Sequence, residues 1–123
     1  MANNRTQRIE GEFKRALSEI ILTDIKDPRM SQMAGITGVQ ITKDLKYAKV
    51  LVSVYDSEIK KQSTIEALNH AEAFIRAKMN EKIKLRRIPV MTFVLDTSIE
   101  YSVRISKLID EVNNGEKQHE ENR

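Results

Sequence analysis

Between Arg76 and Arg87 the charged residues are Arg76, Lys78, Glu81, Lys82, Lys84, Arg86 and Arg87, six basic against one acidic in a chain whose net charge is only +3. Cations packed at the exit of a helix, with an apolar strand directly behind them, form a rigid platform for a polyanion. The alternative for any such run is a solvated, charge-rich face. Arg5 and Arg8 near the N-terminus and Lys43 and Lys46 in a polar turn form a second tier of cations. Other chemistry has little to work with. His70 and His119 are the only histidines; His119 lies in a polar tail, and His70 reads as an exposed helix residue rather than a base. No nucleophile elbow, phosphate-binding loop or metal-ligand cluster is visible, so neither catalysis nor a metal or cofactor is expected. Asp24, Asp27, Asp44 and Asp96 fit capping and turn roles.

Three Phe, three Tyr and no Trp leave few rings for reading bases. Phe13, Phe74 and Phe93 are read as core, so recognition would rest on phosphates and shape. Gly35-Ile36-Thr37-Gly38 has the GxxG spacing with which some RNA-binding domains clamp a backbone. That clamp joins two helices, whereas this tetrapeptide follows a helix and leads into a strand, so it is read as the start of the strand.

The elements that must position these residues follow from periodicity. Ile9, Phe13, Ala16, Leu17, Ile20 and Ile21 trace one stripe of a helix from about Asn4 to Ile25, ended by Asp27-Pro28. After a loop from Arg29 to Ala34, Val39 and Ile41 mark a first strand. Ala48, Val50, Val52 and Val54 mark a second, paired antiparallel through the turn Thr42 to Lys46. Asp56 to Gln62 reads as a polar connection and Ser63-Thr64-Ile65-Glu66 as a capping box. In the helix that follows, Ile65, Leu68, Ile75, Met79 and Ile83 fall within an arc of about 80° at the helical period, but Glu72 falls inside that arc and Phe74 opposite it. A break near Ala71-Glu72-Ala73 would let the halves turn separately, exposing Glu72 and burying Phe74. Pro89 opens a third strand with Met91, Phe93 and Leu95 inward. Asp96-Thr97-Ser98 can cap a last helix striped by Tyr101, Ile105, Leu108, Ile109 and Val112.

The chain of 123 residues, 40% hydrophobic and 32% charged, is one α+β domain, a two-layer sandwich with helices on one face of a three-stranded sheet. Residues 1–112 are expected to form the domain. The tail from Asn113 to Arg123 contains no apolar residue and is expected to be disordered. No cysteine, apolar signal core or membrane-length run appears, which suits a cytoplasmic domain that does not engage a membrane. No long apolar stripe is left over, so a monomer is expected.

From Arg5 to Val112 the sequence resembles bacterial ribosome-binding factor A. The resemblance is carried by Arg8-Ile9, Ile25-Lys26-Asp27-Pro28-Arg29, Val39 to Leu45, Ala48, Val50, Val52-Ser53, Leu68, Ala71, Phe74, Arg76, Arg86, Pro89, Phe93, Asp96 and Ser98 in order and spacing. It implies a KH-like fold of type II, order α-β-β-α(kink)α-β-α, in which a helix kink at an Ala-x-Gly sequence replaces the GxxG loop. Here Ala71, Glu72 and Ala73 stand at that place, with Ala73 where the family has glycine. The resemblance further implies an assembly factor that binds free small ribosomal subunits and their RNA, supports late maturation and RNA processing, and is linked to growth in the cold. A nucleic-acid-binding module without a ribosomal role, including a DNA-binding regulator, is the competing reading.

Overall fold

Helix α1 (Asn4–Thr23) is amphipathic, and its stripe is driven fully inward: Phe13, Leu17 and Ile20 have no exposed surface. The computed structural model describes residues 4–98 and 104–113. After α1 the chain turns at Asp27-Pro28, where the Arg29 guanidinium donates to both Asp27 carboxylate oxygens. Strands β1 (Ala34–Ile41) and β2 (Tyr47–Val54) then form an antiparallel hairpin. Thr42 and Asp44 side chains knit its turn, and Leu45 adopts φ 60°, a region that disfavours leucine. Leu45 packs its side chain on the core, which offsets that strain.

Strand β3 (Val90–Leu95) lies parallel to β2 on the side away from β1, giving the order β1-β2-β3. The inward residues Val39, Ile41, Ala48, Val50, Val52, Val54, Met91 and Phe93 are all buried, whereas Gln40, Tyr47, Lys49, Val90 and Thr92 on the other face are exposed. This alternation marks a sheet with its helices on a single face and solvent on the other. The architecture is the α+β, KH-like sandwich expected. The GxxG tetrapeptide lies wholly within β1, where the register shifts between Ile36 and Gly38. The bulged Thr37 uses its hydroxyl to reach Asp96 at 2.6 Å, tying β1 to the end of β3.

The second layer departs from expectation at its start. Helix α2 (Glu58–His70) begins before Ser63, with Ser57 as N-cap accepting from the Lys60 amide. Ser63 instead donates to Arg29 O, and Glu66 is exposed. The early turns escaped the periodicity count because the buried face of α2 is partly polar: Lys61, Thr64, Ala67 and Leu68. Lys61 meets Glu58 at 3.1 Å, and Thr64 donates to Lys60 O while accepting from the Ser31 amide, so their burial is compensated.

At Ala71 (φ −89°, ψ 7°) the helix is interrupted, and α3 (Glu72–Lys82) follows directly. The interruption does not do what the phase argument required. Phe74 is 48% exposed, and the Glu72 side chain is only 15% exposed. The reason is that Glu72 is pinned: its carboxylate accepts from the Met91 amide at 2.9 Å, which fixes the rotation of α3 with Ile75 and Met79 inward and Phe74 outward.

Residues 104–113 form a further helix, α4. Its apolar residues Ile105, Leu108, Ile109 and Val112 are exposed, so it does not join the helical layer. Tyr101 and the tail beyond residue 113 lie outside the described residues, and Asn113 is itself helical.

Candidate nucleic-acid interface

The loop from Ile83 to Pro89 is held to the body by alternate residues. Ile88 and Pro89 are buried, Ile83 and Leu85 pack on the core, and Lys84, Arg86 and Arg87 point to solvent. The loop joins the sheet where the Val90 amide donates to Lys46 O, which sets it beside the β1–β2 turn carrying Lys43 and Lys46. Glu10 on α1 accepts from the Ile41 amide at the same end of β1. Arg8 and Arg5 lie within two helical turns of Glu10, so they belong to this end as well. Six exposed cations therefore gather at one end of the sheet: Arg8, Lys43, Lys46, Lys84, Arg86 and Arg87. None of these six has an ion pair among the described residues.

The rest of the basic run behaves differently. Arg76 binds Glu72 at 3.3 Å, and Lys82 binds Glu19 of α1 at 3.3 Å. Lys78 lies 5.7 Å from the Phe74 ring centre and 3.9 Å from Glu81. The dense run thus divides into a helical part with ion-pair or ring partners and a loop part with no ion pair among the described residues. Spacing alone hid this division, because Glu19 and Glu72 lie outside the run.

His70 is exposed at the end of α2. The aspartates serve turns. Arg29 beside Asp27, through its side chain and then its amide, lowers that carboxyl to about 2. Hydrogen bonds from Thr42 and the Lys46 amide lower Asp44, those from Ser57 and Ser31 lower Asp56, and those from Ser98 and Thr37 lower Asp96. Among the described residues no group of acidic or histidine side chains is arranged to hold a metal ion, and no helix is long and apolar enough to cross a membrane.

A profile of the ribosome-binding factor A family matches residues 5–109. The chain belongs to that family. Ribosome-binding factor A of Caldanaerobacter subterraneus subsp. tengcongensis is 46% identical over 112 residues, covering 91% of this chain and 92% of the relative. The crystal structure of ribosome-binding factor A from Thermus thermophilus superposes with a TM-score of 0.65 at 27% identity, covering 73% of this chain and 93% of that one. A homology model of the Thermus thermophilus factor, fitted into the cryo-electron-microscopy map of a 30S complex, matches with a TM-score of 0.62 at 27% identity, covering the same shares. Sequence reasoning within the ribosome-binding factor A pattern missed two features of the surface. Tyr47 is 60% exposed beside the cationic turn, and Phe74 is outside the core. Tyr47 opens the alternation of β2 on its polar phase, a signal available in the sequence; the rotation of α3 had no such signal.

Proposed function

We propose that this protein binds the free small ribosomal subunit through its ribosomal RNA and supports late maturation and RNA processing of that particle, acting as a cytoplasmic monomer and supporting growth in the cold. The observation that carries the reading is family membership together with the fit of a Thermus thermophilus relative into a 30S complex. The exposed cations at one end of the sheet supply the chemistry, since lysine and arginine side chains that form no close ion pair among the described residues can replace the counterions of a phosphate backbone. Co-sedimentation of the protein with free small subunits, large subunits and joined ribosomes, across a salt series, tests the proposal. Selective retention by free small subunits that weakens with salt is the expected result. Equal affinity for duplex DNA, with no preference for the small subunit, would favour a nucleic-acid-binding module without a ribosomal role.

A further inference from the structure

The face of the sheet turned away from the helices carries a patch that phosphate binding alone leaves without a use. Its cross-strand row runs Gln40, Lys49, Thr92, because Gln40 pairs with Lys49 and Lys49 with Thr92. The adjoining row places Tyr47 beside Val90. Rows on one face are separated by about 6.8 Å, and neighbours within a row by about 4.8 Å. Gln40, Lys49, Thr92 and Tyr47, with Thr42 and Val94, line a shallow hollow of about 420 Å³. Tyr47 is 60% and Val90 40% exposed, an apolar ledge next to ammonium groups that have no ion pair among the described residues.

We propose that this hollow binds an unpaired nucleotide of RNA, with the base stacked on Tyr47. The proposal deepens the RNA-binding reading above and rests on it. Each component has a chemical counterpart. A tyrosine ring with an open face offers a stacking platform that any base can use, and a lysine beside it neutralises the adjoining phosphate. Gln40 provides both a donor and an acceptor, and Thr92 a hydroxyl, to meet the edge of the stacked base. The turn with Lys43 and Lys46 and the loop with Arg86 and Arg87 lie at the same end of the sheet, so a strand entering the hollow meets phosphate-binding side chains as it leaves. Duplex RNA cannot use such a ledge, since its bases are stacked on one another.

Two measurements on the full chain test this. The first is binding of fluorescein-labelled oligo(A), oligo(U) and oligo(C), and of a hairpin-closed RNA duplex, by anisotropy over a salt series. Tyr47→Leu should weaken binding of the unpaired oligonucleotides roughly five-fold or more while leaving the salt slope unchanged. Lys49→Ala should lower that slope by about 0.7, one phosphate contact on a single strand. Tyr47→Phe should bind as the unsubstituted protein does. The second is tyrosine emission, which no tryptophan masks. Unlabelled oligonucleotide should quench it in the unsubstituted protein, and Tyr47→Phe should lose that quench, so the proposal stays testable even if Tyr47→Leu folds poorly. Undiminished affinity in a folded Tyr47→Leu, a quench that persists in Tyr47→Phe, or duplex bound as well as unpaired RNA would each overturn it. Co-sedimentation separates the two readings. Small-subunit binding with no dependence of oligonucleotide affinity on Tyr47 removes only the stacking site. Tyr47-dependent oligonucleotide binding without small-subunit binding removes only the ribosomal role.

Discussion

Glu72 accepts the backbone amide of Met91 at 2.9 Å, and so a carboxylate on a helix closes the free edge of β3. Two residues further along that strand, Asn69 accepts from the Phe93 amide and donates to its carbonyl, both at 2.9 Å, as a fourth strand would. Glu10 does the same service for β1 at Ile41. Both edges of a small sheet are thereby occupied by side chains from the helical layer, one of the ways in which exposed strand edges are protected.

Glu72→Ala should therefore destabilise the protein by about 1–3 kcal/mol, since it leaves the Met91 amide without a partner in a partly buried site. Glu72→Gln should cost less, because an amide oxygen can still accept that bond. Urea unfolding of both variants checks the order; equal losses would show that charge, through Arg76, outweighs the hydrogen bond to Met91.

Within the basic run the loop cations should matter more than the helical ones. Replacing Lys84, Arg86 and Arg87 with alanine should flatten the salt dependence of small-subunit binding by about 0.7–0.9 per lost phosphate contact. Replacing Lys78 and Lys82 should change it less, because Glu81 and Glu19 already face their ammonium groups. Neither set should shift stability by more than about 0.5 kcal/mol, the usual range for exposed positions away from structural features.

How far the sequence was legible can be judged from these same residues. The α1 stripe and the alternation of β2 were plain, because each buries a single face of apolar residues with one period. The start of α2 was not, since Lys61 and Thr64 occupy its buried face and are satisfied by Glu58, Ser31 and Lys60. The discontinuity at Ala71 was signalled by Glu72 and Phe74 being out of phase. Its consequence was misjudged, because a largely buried carboxylate bonded to a strand amide looks, in sequence, like one that belongs in water. For the candidate interface, the cations were legible and their local partners were not, as ion pairs such as Lys82 with Glu19 join distant parts of the chain.

Acid should weaken the fold in a defined window. Asp27, Asp44, Asp56 and Asp96 all have carboxyls lowered by hydrogen bonds, Asp27 to about 2 from 3.8. A carboxyl whose folded value lies below its unfolded one contributes stability that is complete above the unfolded value and is lost as pH falls through the folded one. Thermal midpoints should accordingly decline from about pH 5 towards pH 2. Asp96→Asn should lower the midpoint at neutral pH and shallow that decline, because the amide keeps its bonds only in part and no longer titrates. An unchanged slope would assign the acid sensitivity to other groups.

Removing residues 113–123 should change unfolding free energy by less than about 1 kcal/mol, as the segment has no apolar side chain to bury. Urea midpoints of the shortened and full chains make the comparison. A larger loss would place part of the tail against the domain.

The parallel pairing of β3 with β2 also governs how the chain reaches its native state. The hairpin of β1 and β2 closes over a short turn, and its two strands leave the ribosome together. The partner for the other side of β2 arrives only after α2, α3 and the basic loop, and a long loop must close before that pairing is rewarded. Until Val90 to Leu95 has been made, the central strand carries a row of unpaired amides and carbonyls beside an open hydrophobic face. The last strand synthesised in the sheet is thus the one that both completes the core and removes its most association-prone edge, and a chain halted at the loop is the form in which this protein is most exposed to aggregation.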